Sequence, residues 1–127
     1  MNQKSITTKK APSAIGPYSQ AISTGNLVFI SGQLPIDPTT GNLIDDTISA
    51  RTHQVLHNLK AIAKEAGGDL SGIVKTTIFL TDLADFREVN EVYASYFPAT
   101  PPARSTVQVA ALPLGSNIEI EAILLIS

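Results

Sequence analysis

IEIEAILLI, Ile118 to Ile126, is the stretch on which the fold turns. In an extended chain successive side chains point to opposite faces. Ile118, Ile120, Ala122, Leu124 and Ile126 therefore share one face, and Glu119, Glu121, Ile123 and Leu125 share the other. The first face is wholly apolar and predicts a strand laid on a core. The second begins with two acids and turns apolar further along, which predicts a sheet face that is only partly solvated. A carboxylate at such a boundary has its pKa raised unless a cation or donor lies close, and acid/base groups are tuned toward neutral pH in this way. The other reading of the same pair is a solvated edge with no chemistry.

Upstream, Val107, Val109 and Ala111 alternate with Thr106, Gln108 and Ala110, the pattern of a half-buried strand, and PLGS from Pro113 to Ser116 supplies a turn. The expected arrangement is a hairpin of Ser105–Leu112 against Ile118–Leu125. PARSTV, residues 102–107, places Arg104 at its far end. A guanidinium presents parallel donors that match both oxygens of a carboxylate or phosphate, although a surface arginine or a structural ion pair is the other reading. In the hairpin Glu119 faces Ala110 or Ala111, on the order of 20 Å from Arg104 at about 3.3 Å per residue. The two cooperate on one small ligand only if they meet across a subunit interface.

Further upstream the periodicity changes. From Asp46 to Ala66 the apolar residues Ile48, Val55, Leu56, Leu59, Ile62, Ala63 and Ala66 recur at helical spacing, with Asp46 or Thr47 as cap and Gly67-Gly68 as stop. IVKTTIFL, Ile73–Leu80, reads as a strand. Asp85 and Glu88 look like a capping box opening a second helix, with Phe86, Val89, Tyr93 and Phe97 on its core face. LVFIS, Leu27–Ser31, is a strand, and SGQLPIDPTTGN after it reads as an irregular loop. Strand, helix, strand, helix, strand, strand predicts an α+β sandwich with helices on one face of a mixed sheet. The other face needs a cover, and a neighbouring subunit can provide it.

Composition agrees with one domain spanning residues 1–127. Hydrophobic residues make up 43% and charged residues only 16% of the chain, against about 25% charge in an average domain, which leaves apolar surface for contacts between subunits. The net charge of −2 offers no attraction for a polyanion, and the absence of cysteine removes disulfides, thiolate metal sites and a thiol nucleophile. The N-terminal segment MNQKSITTKKAP lacks the apolar region of a secretory signal, and no apolar run approaches the roughly 20 residues that span a bilayer. Cytoplasmic residence without a membrane partner is the expectation.

Other constellations are weaker. His53 and His57 have the spacing of two helical metal ligands, but HQVLH lacks a metalloprotease glutamate and lies opposite the apolar stripe, as solvated helix surface would. Phosphate loops, dinucleotide fingerprints and nucleophile elbows do not occur. Asn90 lies beside core-facing residues of the second helix, and Tyr18 in IGPYSQA follows Gly16 and Pro17 in a loop, where a partly buried phenol could supply one hydroxyl and one ring.

Taken together, APSAIGPYSQAI, ISGQLPIDPTTG, KTTIFLTDLADFREVNEVYASYF and PARSTVQVAALPLGSNIEIEAI resemble the Rid (reactive intermediate deaminase, or YjgF) family, and its RidA branch in particular, over nearly the whole chain. The resemblance implies a chorismate mutase-like two-layer α+β sandwich, with a mixed six-stranded sheet, two helices on one face, and three sites between the subunits of a homotrimer. It implies hydrolysis of enamine/imine intermediates released by pyridoxal phosphate enzymes, such as 2-aminoacrylate with its tautomer 2-iminopropanoate, and 2-iminobutanoate, to 2-oxo acids and ammonia. Neither cofactor nor metal is implied. By position, Arg104 would hold the substrate carboxylate with the backbone N–H of Thr106 beside it. Glu119 would activate water and shuttle a proton, and Tyr18, Ser31, Gly32 and Asn90 would line the cleft. Thr106 stands where many relatives have cysteine, so thiol-dependent behaviour does not carry over. A regulatory module that binds 2-oxo acids without turnover is the alternative. Endoribonuclease or translation-inhibitor activity, attached to some members, is opposed by the acidic balance.

Overall fold

The computed structural model describes residues 3–127, leaving the first two positions of the N-terminal segment outside. The chain runs through β1 (Gln3–Ile6), β2 (Ala21–Thr24), β3 (Leu27–Gln33), β4 (Ile36–Asp37), β5 (Asn42–Leu43), α1 (Ile48–Glu65), β6 (Ile73–Leu80), α2 (Phe86–Ser95), β7 (Ala103–Gln108) and β8 (Ile118–Leu125). Six strands form one sheet in the order β1-β2-β3-β8-β6-β7, antiparallel throughout except for the parallel pair β6 and β7. Both helices lie on one face. The α+β sandwich with a mixed sheet is therefore the architecture.

Position in the sheet follows polarity. β6 and β8 bury every second residue, among them Ile78, Leu80, Ile118, Ile120 and Leu124, and they sit side by side at the centre. Against them α1 lays Val55, Leu56, Leu59 and Ile62, all fully buried; each such side chain stabilises the fold by about 1.5–3 kcal/mol. Thr47 caps α1 by accepting a bond from the Ala50 N–H (3.1 Å), and Gly67, at φ +95°, ends it where an L side chain would be strained. β7, ARSTVQ, has no buried residue and takes the edge.

The expected hairpin does not form. β7 pairs in parallel with β6, reached through α2 as a crossover, whereas β8 inserts on the opposite side of β6, between it and β3. An exposed, polar strand cannot occupy the middle of a sheet whose helix-side face is the core. The strand also ends at Gln108 rather than Leu112.

Smaller departures have similar local causes. Asp85 makes no side-chain cap bond; Asp82 caps a preceding turn of 3-10 helix through the Ala84 N–H (2.9 Å). Within the expected irregular loop, β4 and β5 form a small hairpin closed at Gly41 (φ +77°). β1 and β2, of four residues each, are too short for alternation to reveal them. Among the described residues no helix is long and apolar enough to cross a membrane. The face opposite the helices is bare and half apolar, with Phe29, Val107 and Leu125 each more than 40% exposed.

Candidate active site

The candidate residues gather in two places. At the β7 edge, Arg104 is level with Thr76 of β6, whose side chain faces the helices, and its own side chain turns the same way. Its guanidinium lies 5.3 Å from the ring centroid of Phe86 and 5.1 Å from that of Tyr93, and donates to Asn90 Oδ1 at 2.7 Å. All three partners come from one stripe of α2, and all are neutral. Cation–π contact and a single amide acceptor orient the cation without cancelling its charge. The Tyr93 ring is in turn fixed by a bond between its hydroxyl and Thr76 Oγ1 (2.7 Å). Arg104 and Asn90 line a depression of about 330 Å³ with Tyr93, Pro101 and Pro102.

The ladder decides what else that edge offers. Val109 N–H donates to the Leu80 carbonyl (2.8 Å), and in a parallel pair alternate residues bond the same neighbour. Ser105 and Val107 thus point their N–H groups at β6, while Arg104 and Thr106 point theirs outward. The Thr106 N–H is a free donor beside the Arg104 side chain. The Thr106 side chain turns toward Leu83 and Phe86, and its buried Oγ1 has no hydrogen-bond partner.

The second group lies on the bare face. Glu119 is level with Phe79 and, beyond it, Val107. Its carboxylate lies over Gly32: a Cβ built there would collide with Oε2 and come within 2.7 Å of Cδ. A side chain at position 32 would therefore displace the end of the Glu119 side chain. β3 is irregular between Ile30 and Gln33, which lets Ser31 turn back to β2. Its N–H donates to the Gln20 carbonyl (2.9 Å) and its Oγ to the Ser19 carbonyl (2.6 Å). Burial, and then the neighbouring Glu121, hold the Glu119 carboxyl above its ordinary pKa of 4.5. Gly32 also borders a pocket of about 260 Å³ with Tyr18, Ile15 and Leu114. Tyr18 is not partly buried as expected but 53% exposed, its oxygen 3.4 Å from the Ile15 N–H.

Arg104 and Glu119 do not meet within one chain. They stand three residues and two strands apart in register, about 14 Å at 3.3 Å per residue and 4.8 Å per strand, and their side chains project from opposite faces. The separation expected from the hairpin holds, with a different cause. Three contributors were not singled out from sequence. Phe86 and Tyr93 were read as core, although with Asn90 they follow the i, i+4, i+7 spacing of one helical face. Gln20, 3% exposed, accepts from the Thr8 N–H (2.7 Å) and donates to the Thr8 and Pro12 carbonyls (3.0 and 2.7 Å), which anchors the segment leading to Tyr18.

Known structures share this arrangement of a mixed sheet and two helices. The YjgF gene product of E. coli is 48% identical, with a TM-score of 0.91 and coverage of 96% of this chain and 98% of that one. RidA from an Antarctic Psychrobacter is 50% identical, with a TM-score of 0.93 over 97% and 99%. The fold is that of the YjgF/L-PSP class. This chain belongs to the family described as Endoribonuclease L-PSP, whose model matches residues 8–126, and Rid proteins are among its relatives. It is 58% identical over 118 residues to the chloroplastic Reactive Intermediate Deaminase A of Arabidopsis thaliana, covering 93% of this chain but 63% of that protein. To the human 2-iminobutanoate/2-iminopropanoate deaminase it is 50% identical over 118 residues, covering 93% and 86%.

Proposed function

We propose that the protein is a RidA-type deaminase that hydrolyses 2-iminopropanoate and 2-iminobutanoate, with their enamine tautomers, to 2-oxo acids and ammonia in the cytoplasm. The observation that supports it most is the split of the site. An oriented cation with a free N–H and a carboxyl with a raised pKa lie on different surfaces of one protomer, and each lacks its counterpart. In a homotrimer the β7–α2 edge of one protomer faces the bare β8–β3 face of the next, and each interface forms one cleft. Arg104 and the Thr106 N–H take the substrate carboxylate, with Asn90 holding the guanidinium in place. From the neighbour come Glu119, Gly32, Ser31 and Tyr18.

Glu119 takes a proton from water as the oxygen attacks the iminium carbon and the C=N π electrons move to nitrogen. The resulting carbinolamine receives that proton on nitrogen. As the C–N bond breaks, its electron pair leaves with ammonia and the hydroxyl gives its proton to the Glu119 carboxylate, which leaves the 2-oxo acid. An iminium is already electrophilic, so orientation and one proton shuttle are the main requirements and no cofactor is called for. The deaminase activity for which these relatives are named supports this reaction. In an assay coupled to a threonine dehydratase, the wild type accelerates formation of the 2-oxo acid and folded Arg104→Ala does not. Full acceleration by that variant would refute the role of Arg104. Binding of 2-oxo acids by the wild type with no acceleration would refute the enzyme reading.

A further inference from the structure

On the solvent side of α1, His53 and His57 stand one helical turn apart, and Tyr96, just past the end of α2, closes a triangle with them. Ring centroids are 6.3 Å apart for the two histidines, and 5.6 and 5.9 Å from each to Tyr96. The Tyr96 oxygen lies 2.7 Å from His53 Nδ1. Both imidazoles are exposed. They are on the helix side of the sheet, away from Glu119, and neither lines the Arg104 or the Tyr18 depression. Imine hydrolysis leaves all three without a task.

We propose that His53 and His57 together form a binding site for a divalent transition-metal ion, Cu²⁺ in preference to Zn²⁺ or Ni²⁺, with Tyr96 orienting His53. Imidazole pairs four residues apart on a helix present two nitrogen donors to one ion. Bound metal at Nε2 of His53 fixes the tautomer in which Nδ1–H donates to the Tyr96 oxygen, the outer-sphere bond that ligating histidines commonly make. With metal–nitrogen bonds of about 2.1 Å, the rings need to close by about 1–2 Å from their 6.3 Å separation to occupy adjacent coordination positions, a movement open to exposed side chains. Among the described residues no third His, Cys, Asp or Glu joins the pair. Water completes the coordination, and the ion is exchangeable rather than structural. Lys60 is the cation that faces the site and weakens it. Nitrogen ligands and the usual order of divalent affinities favour Cu²⁺ and disfavour Mg²⁺.

The test uses full-length, tag-free protein stripped with a chelator and titrated with Cu²⁺, Zn²⁺, Ni²⁺ or Mg²⁺ by calorimetry, with electron paramagnetic resonance of the copper form. The expected result is one Cu²⁺ per chain with two imidazole nitrogens in its spectrum, weaker Zn²⁺ and Ni²⁺, and no Mg²⁺. His57→Ala and His53→Ala abolish that binding with unchanged unfolding temperature in chelator. Tyr96→Phe weakens it about 10-fold, and Lys60→Gln strengthens it. Because deaminase activity does not enter the readout, failure here leaves the proposed function untouched. No stoichiometric copper in the wild type, or equal affinity in His57→Ala with the ion held elsewhere, overturns the proposal. Equal affinity in Tyr96→Phe removes the orienting role and overturns that part.

Discussion

The β7–α2 edge and the β8–β3 face hold opposite charges by opposite means. At the edge, Arg104 keeps contact with water, and its position comes from two ring faces and an amide oxygen. On the face, Glu119 is half-buried, raised in pKa by burial and by Glu121, and laid closely over Gly32 of β3. The edge therefore contributes orientation at little desolvation cost. The face contributes a carboxylate whose ionised form is disfavoured until a cation approaches. That asymmetry is what a site assembled from two protomers needs, since each surface must stay soluble and folded before its counterpart arrives.

Breaking either half tests the comparison most severely. Arg104→Ala and Glu119→Gln each reduce acceleration about 1,000-fold, down to the spontaneous rate. Mixed and reassembled at equal concentration, the two dead variants regain activity at about one interface in four, where an intact Arg104 meets an intact Glu119 from the next protomer. A mixture that stays inactive although mixed oligomers form would show that the two residues do not share a cleft. The next largest effect is on the crowded face. Gly32→Ala pushes the Glu119 carboxylate aside and reduces kcat about 10- to 100-fold, with little loss of stability because the end of that side chain can move. Unaltered kinetics would mean that the carboxylate is not held where it is used.

The two halves were also unequally legible in the sequence. Period-2 alternation in IEIEAILL assigned Glu119 and Glu121 to the non-core face correctly, because a one-residue error there would have put both acids in the core. The edge was misread. Val107 and Val109 alternate with polar residues as in a central strand, and sequential strands usually pair, so β7 was joined to β8. The better signal was the polarity of ARSTVQ beside the apolar IVKTTIFL, which marks the former as edge and the latter as centre. The parallel crossover through α2 depends on packing between distant segments, which local periodicity cannot report. The first helix was read nearly to its ends because its cap and its glycine termination are local.

A milder perturbation separates the causes of the raised Glu119 pKa. As the base Glu119 must be ionised, so the acid limb of the kcat/KM profile falls as pH drops through its pKa, above the ordinary 4.5. Glu121→Gln removes the repelling charge but leaves burial, the larger cause, in place. The acid limb shifts to lower pH, and the plateau is unchanged. An unshifted limb would assign the perturbation to burial alone, and an upward shift would contradict the repulsion.

The smallest expected effect sharpens the contrast at the edge, where the useful group of Thr106 is its backbone. Its Oγ1 is buried without a partner, whereas its N–H points outward by the alternation of the β6–β7 ladder. An unpaired buried hydroxyl costs about 1–3 kcal/mol, and replacing it with an isosteric apolar group is neutral or stabilising. Valine keeps the β-branched shape, which suits a strand, and leaves the N–H in place. Thr106→Val accordingly raises stability by about 1 kcal/mol in denaturant unfolding and leaves imine hydrolysis unchanged in the coupled assay. Lost activity in a folded, stabilised variant would mean that the hydroxyl reaches the substrate in the assembled cleft, and the edge would then contribute side-chain chemistry at two positions rather than one.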